Sequence, residues 1–139
     1  MHETSIAAGI ISIVEEAANR EGFGNISEVE VEVGLLSLVD LESLRFALEV
    51  MSQGTLLEGA KIIFRVVEPV LKCNKCKAEW SVKRGTVEGL DEASRLALHL
   101  YPEAVVKLFK CPKCGSTETE VVKGRDIRVS RLRAEEKNS

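Results

Sequence analysis

The sequence predicts an α+β protein: a small domain of two helices and a mixed β-sheet, with a zinc-ribbon-like module inserted into it. Three observations predict this. In residues 1–69, a helical apolar pattern is followed by a strand pattern, and this happens twice, the first strand by alternation and the second by its Ile/Val content. All four cysteines fall into two Cys-x-x-Cys pairs separated by a 34-residue spacer. Charge also divides the chain: residues 1–69 hold 4 Lys/Arg against 12 Asp/Glu, a balance of −8, whereas residues 70–139 hold 15 against 10, a balance of +5. The expected organisation is a domain over 1–69 and a metal-binding module over 70–124 with a helical insertion at 85–110. A returning strand at about 125–133 completes the first domain's sheet, and a disordered tail follows at 134–139.

The first helix is predicted from Ile6, Ile10, Ile13, Val14 and Ala17, beginning near Thr4-Ser5, either of which can cap it, and ending by Gly22. Ile26 to Val33 alternates, with Val29, Val31 and Val33 on one face and Glu28, Glu30 and Glu32 on the other, as a half-buried strand does. The glutamate face is expected to be solvated. Asp40 caps a second helix, Leu41 to Met51, with Leu44, Leu48 and Met51 turned inward and Gln53-Gly54 as its stop. Lys61 to Val67 is rich in Ile and Val and closed by Pro69, a second strand. Inside the spacer, Asp91 caps a helix from Glu92 to Tyr101 that Pro102 stops. Its apolar stripe is Ala93, Leu96, Ala97 and Leu100, with His99 on the polar side beside Glu92 and Arg95. Glu118 to Val122 and Asp126 to Leu132 complete the strands, with Gly124 between them.

The cysteine pairs carry the strongest chemical signal. Cys73-Asn-Lys-Cys76 and Cys111-Pro-Lys-Cys114-Gly115 are two turns that can each aim two thiolates at one point, and four thiolates make a tetrahedral cage whose default occupant is zinc. Gly115, Lys75 and Lys113 suit a tight turn whose backbone N–H groups and nearby cations offset thiolate charge. A rubredoxin-like iron site fits the same residues. A pair of disulfides is the third reading, disfavoured by a reducing compartment. Trp80, the single tryptophan, is expected to pack within this module.

Other chemistry is scarce. No glycine-rich phosphate loop occurs, no histidine stands near a cysteine in sequence, and no paired-acid motif has context, so the chain reads as one that carries something rather than an enzyme. The apolar run Ile6 to Val14 lacks a basic flank and leads into Glu15-Glu16. No signal peptide or membrane span is therefore expected, and the expected location is the cytoplasm. The two histidines are His2 and His99. A free α-amine, a residue-2 imidazole and the intervening backbone nitrogens can place several nitrogens in one plane, a geometry suited to Ni(II) or Cu(II) and not to zinc. His99 reads either as an exposed helical histidine or as a further nickel ligand, should the spacer helix fold back over the first domain.

Met1-His2-Glu3, Val31-Glu-Val-Gly34-x-Leu36-Ser37, Phe46-Ala-Leu-Glu49, Gly54-Thr55, Glu58-Gly59-Ala60 and then the paired Cys-x-x-Cys follow one another in an order that resembles the HypA family, the nickel metallochaperones of NiFe-hydrogenase maturation. The resemblance covers nearly the whole chain. It implies a Ni(II) site at the N-terminus formed by the Met1 amine, the His2 side chain and backbone, and the Glu3 backbone amide. It further implies a structural Zn(II) on Cys73, Cys76, Cys111 and Cys114. Delivery to the NiFe-hydrogenase large subunit, with a nucleotide-hydrolysing maturation chaperone as partner, follows from the same resemblance, and no nucleic acid or membrane is implied. A monomer or a dimer is compatible with it. The spacer is longer than in many relatives and supplies His99. The competing reading is a zinc-ribbon module that binds nucleic acid or another protein. The +5 half and Arg125, Arg128, Arg131 and Arg133 favour it, while the −8 half and the lack of interleaved aromatics oppose it.

Overall fold

A computed structural model describes residues 3–101 and 108–136. The chain divides into two compact units, one of Met1–Glu32, Val39–Arg65 and Ile127–Ser139, the other of Val33–Leu38 and Val66–Asp126. The described elements are α1 (Glu3–Glu21), β1 (Phe23–Gly34), a 3-10 turn (Leu35–Ser37), α2 (Leu41–Met51), β2 (Lys61–Val67), β3 (Val70–Cys73), β4 (Glu79–Ser81), α3 (Arg84–Glu88), α4 (Glu92–Leu100), β5 (Thr119–Lys123) and β6 (Ile127–Glu136). No described helix is long and apolar enough to cross a membrane.

In the first unit the sheet order is β2-β1-β6, which makes β1 the central strand. Val29 and Val31 are fully buried, as the alternation requires. The opposite face is not merely solvated: Glu30 pairs with Arg65 at 3.5 Å and Glu32 with Arg128 at 2.9 Å. The Ser27 hydroxyl donates to the Arg133 carbonyl and the Ser130 hydroxyl to the Glu30 carbonyl. Partners 27 with 133, 30 with 130 and 32 with 128 advance on β1 as they retreat on β6, so β6 runs antiparallel to β1. The twelve residues of β1 give β6 a long template. Strand structure therefore reaches Glu136, correcting the expectation of a tail from 134; residues 137–139 lie outside the described ones.

Helix α1 packs against α2 and β6. It buries Ala7, Ile10, Ile11, Val14 and Ala18, a stripe rotated from the predicted one, and Ile13 is 57% exposed. Two apolar stripes lie side by side on this helix, and the one used carries Ala7 and Ala18, small residues that permit close approach. The Asp40 side chain caps α2 as predicted, accepting from the Glu42 N–H at 3.1 Å and from the Ser43 hydroxyl at 2.9 Å. Leu44, Ala47 and Leu48 turn inward, whereas Met51 is exposed.

The second unit holds a three-stranded sheet in the order β4-β3-β5. Both neighbours of β3 are antiparallel to it, with Leu71 opposite Trp80 on one side and Val121 on the other. Its core is Leu71, Val82, Val87, Leu98 and Phe109, and Trp80 packs on it as expected. Asp91 caps α4, accepting from the Ser94 N–H at 2.7 Å, but the predicted stripe faces outward: Leu96 is 58% and Leu100 57% exposed. Leu98 is the α4 side chain that enters the core. Leu98 is the anchor that joins Val87 and Phe109 in this core. Backbone crosses backbone closely at Gly34 and Gly124. The Gly34 N–H donates to the Asp126 carbonyl and the Leu36 N–H to the Gly124 carbonyl, both at 2.8 Å. A Cβ on Gly34 would overlap the Gly124 backbone, and one on Gly124 would lie 2.5 Å from the Pro69 Cα.

Candidate metal centre

Cys73 ends β3 and Cys76 lies in the turn leading to β4; Cys111 and Cys114 stand in a second turn ahead of β5. The two turns share one backbone design. The Cys73 N–H donates to the Ala78 carbonyl at 2.8 Å and the Lys77 N–H returns to the Cys73 carbonyl at 2.9 Å. In the second turn, the Cys111 N–H donates to the Ser116 carbonyl at 3.0 Å and the Gly115 N–H to the Cys111 carbonyl at 2.9 Å. Each turn closes on a residue in the left-handed region, Lys77 at φ 69° and Gly115 at φ 74°. Lys77 went unnoticed in the sequence; laying one turn on the other would have shown it where glycine is expected.

The four sulfurs lie within 4.8 Å of one another. Cys73 Sγ is 3.6 Å from Cys114 Sγ, and Cys76 Sγ is 3.6 Å from Cys111 Sγ. A tetrahedral zinc with Zn–S bonds of about 2.3 Å has S···S edges of about 3.8 Å, so the donor set fits zinc. All four thiols are free, and bonded sulfurs would stand about 2.05 Å apart, so these pairs are not disulfides. Backbone donors line the cage: Cys76 N–H to Cys73 Sγ at 3.4 Å, Lys113 N–H to Cys111 Sγ at 3.4 Å, and Cys114 N–H to Cys111 Sγ at 3.5 Å.

These donors set the protonation of the cage. The Cys76 N–H, working against burial, brings the Cys73 thiol down from 9.0 to about 6. Burial opposes ionisation of Cys111, but the N–H groups of Cys114 and Lys113 outweigh it and lower its pKa. The Ser116 N–H favours the Cys114 thiolate, yet burial and the three neighbouring sulfurs push that thiol up to about 11. Four negative sulfurs at this spacing need a cation between them, which is the electrostatic statement of a metal site.

The cage is built from the four cysteines alone among the described residues that could hold a metal. Glu3 opens α1, while Met1 and His2 lie outside the described residues. His99 sits on α4 in a shallow cleft with Leu38, Glu92, Arg95 and Leu96. In the arginine run of β6, Arg128 pairs with Glu32. Sequence reasoning also missed Thr119: its buried hydroxyl is the side-chain oxygen without a hydrogen-bond partner among the described residues. Its place opposite Cys73 depends on a strand register that no local pattern encodes.

The family model described as "Hydrogenase/urease nickel incorporation, metallochaperone, hypA" matches residues 1–134. Among similar proteins, the hydrogenase maturation factor HypA of Pyrococcus furiosus is 40% identical over 135 residues, covering 97% of this chain and 96% of that protein. The HypA of Ignicoccus hospitalis is 40% identical over 140 residues, covering 99% of each. The solution structure of the Ni metallochaperone HypA from Helicobacter pylori, 21% identical, shares the fold with a TM-score of 0.63 over 99% of this chain and 100% of that one. A sulfur cage suited to zinc stands in a chain whose residues 1–134 match this family's model: this protein is a member of the HypA family of hydrogenase maturation factors, metallochaperones and not catalysts.

Proposed function

We propose that the protein is a cytoplasmic Ni(II) carrier for hydrogenase maturation, holding nickel through nitrogen donors at its N-terminus while zinc occupies the cysteine cage. Membership of the nickel-incorporation family, in a chain that opens Met1-His2-Glu3, carries this reading. The cage supports the division of labour. Its four ligands all come from the protein and leave no open coordination position, as in structural zinc sites, so cargo needs other donors.

The nickel donors are the Met1 amine, the His2 imidazole and backbone nitrogen, and the Glu3 backbone nitrogen. Glu3 is the first residue of α1, so its N–H has no carbonyl within the helix to bond, and giving up that proton breaks no helical hydrogen bond. The positive end of the helix dipole also favours an anionic nitrogen there. Acid protonates such donors and releases the metal. Affinity alone cannot select nickel, because the Irving–Williams order places Cu(II) above Ni(II) at nitrogen sites; supply and partner docking must contribute. The recipient is the NiFe-hydrogenase large subunit, and a nucleotide-hydrolysing chaperone supplies the energy and timing that this chain, without a phosphate loop, does not. His99, the other histidine of the sequence, is the candidate for an additional nickel ligand.

The test is a Ni(II) titration of untagged, zinc-loaded protein with a free Met1 amine, read by absorption in the d–d region and repeated on His2→Ala and His99→Ala. A square-planar spectrum that disappears with His2→Ala, at unchanged zinc content and folding, is the expected result. Equal binding by wild type and His2→Ala removes the N-terminal site. Colourless protein with one equivalent of zinc disposes of the iron alternative.

A further inference from the structure

Thr119 is 6% exposed, and its hydroxyl has no hydrogen-bond partner among the described residues. A buried hydroxyl left unpaired costs about 1–3 kcal/mol, so such groups are rare unless something claims them. The register says what stands beside it. In the β3–β5 ladder Thr119 is directly opposite Cys73. The Asn74 N–H donates to the Glu118 carbonyl at 2.8 Å, while the Cys73 N–H goes to Ala78 and the Thr119 N–H to the Thr117 carbonyl. Cys73 and Thr119 are therefore a non-hydrogen-bonded antiparallel pair, the kind in which facing side chains come closest, on one face of the sheet. Cys73 is fully buried, so water cannot solvate its sulfur.

We propose that Thr119 is a positioning residue of the metal centre, its hydroxyl donating an O–H···S hydrogen bond to the Cys73 thiolate once a metal ion has fixed that thiolate. The inference rests on the reading that zinc occupies the cysteine cage. It goes beyond that reading by assigning a side chain outside the Cys-x-x-Cys turns to the site. A thiol is a weak acceptor, whereas a metal-bound thiolate carries the charge that draws the hydroxyl in. The bond orients the sulfur and drains charge from a cage of four anions, as outer-shell donors do at other metal sites.

The experiment uses full-length protein with Thr119→Val, which keeps shape and removes the hydroxyl, Thr119→Ser, which keeps the hydroxyl, and Thr119→Ala. Zinc affinity is measured by chelator competition, and Co(II)-substituted protein is read by its sulfur-to-metal charge-transfer band, with circular dichroism reporting folding. Thr119→Val is expected to lose roughly 10-fold in zinc affinity and to move the Co(II) band to lower energy, since an undonated thiolate is easier to oxidise. Thr119→Ser should retain both properties. Equal affinity and an unshifted band in Thr119→Val would overturn the proposal. Should Thr119→Val not fold, Thr119→Ser against Thr119→Ala decides on the same two readouts. Failure of wild-type protein to bind one equivalent of zinc would instead strike the underlying metal-site reading, a result separable from any difference among the variants.

Discussion

Lys77 and Gly115 hold the same place in two equivalent turns, and one of them carries a side chain in the left-handed region. For a non-glycine residue that conformation costs about 1–2 kcal/mol, part of which is returned as lower entropy of the unfolded chain. Lys77→Gly should therefore stabilise the zinc-loaded protein by about 0.5–1 kcal/mol, and Gly115→Ala should destabilise it by about 1 kcal/mol, measured by urea denaturation. The thiols make a second prediction. At pH 8 Cys73, at about 6, is a thiolate, while Cys114, at about 11, keeps its proton, so metal uptake must expel a proton from Cys114. Below about pH 6 Cys73 must lose one too, and zinc affinity should fall more steeply with acid there. Zinc titrations in buffers of different ionisation heat should report this, with fewer protons released by Cys114→Ser. In the metal-free chain the lowered Cys73 value contributes stability that is complete above 9.0 and is lost as pH falls through about 6.

Among the elements, those with strict local patterns were legible: β1 from the Val29/Val31/Val33 alternation, α2 and α4 from their aspartate caps, and β2 from its Ile/Val run. What local pattern cannot say is which side of an amphipathic helix meets a partner. Ile13 on α1 and Leu96 and Leu100 on α4 are apolar at helical spacing yet exposed, because Ala18 and Leu98 occupy the packed sides. The short strands β3 and β4 were also missed, since three or four residues are too few to show a period. The close crossing at Gly34 gives a prediction at this scale. Gly34→Ala forces backbone apart and should cost about 3 kcal/mol, whereas Gly9→Ala, in the interior of α1 with open space around it, should stabilise by up to about 1 kcal/mol. Thermal unfolding of the two variants side by side checks both signs.

At the scale of the molecule, the pairing of the two Cys-x-x-Cys turns was legible from spacing alone, because four thiols in two turns have few other uses. The division of the chain was less so. It passes between its two units at 32–33, 38–39, 65–66 and 126–127, so neither unit is a continuous stretch of sequence. This gives the metal centre an effect beyond its own turns. Strands β2 and β6 of the first sheet are separated by the residues from 68 to 126, 59 in all. A metal joining Cys73 to Cys111 short-circuits that path to about 22 residues, and by loop-closure statistics this lowers the entropic cost of bringing β6 back by about 0.9 kcal/mol. Zinc is in this sense a splice in the polymer: it shortens the tether on a strand whose own residues never touch the ion.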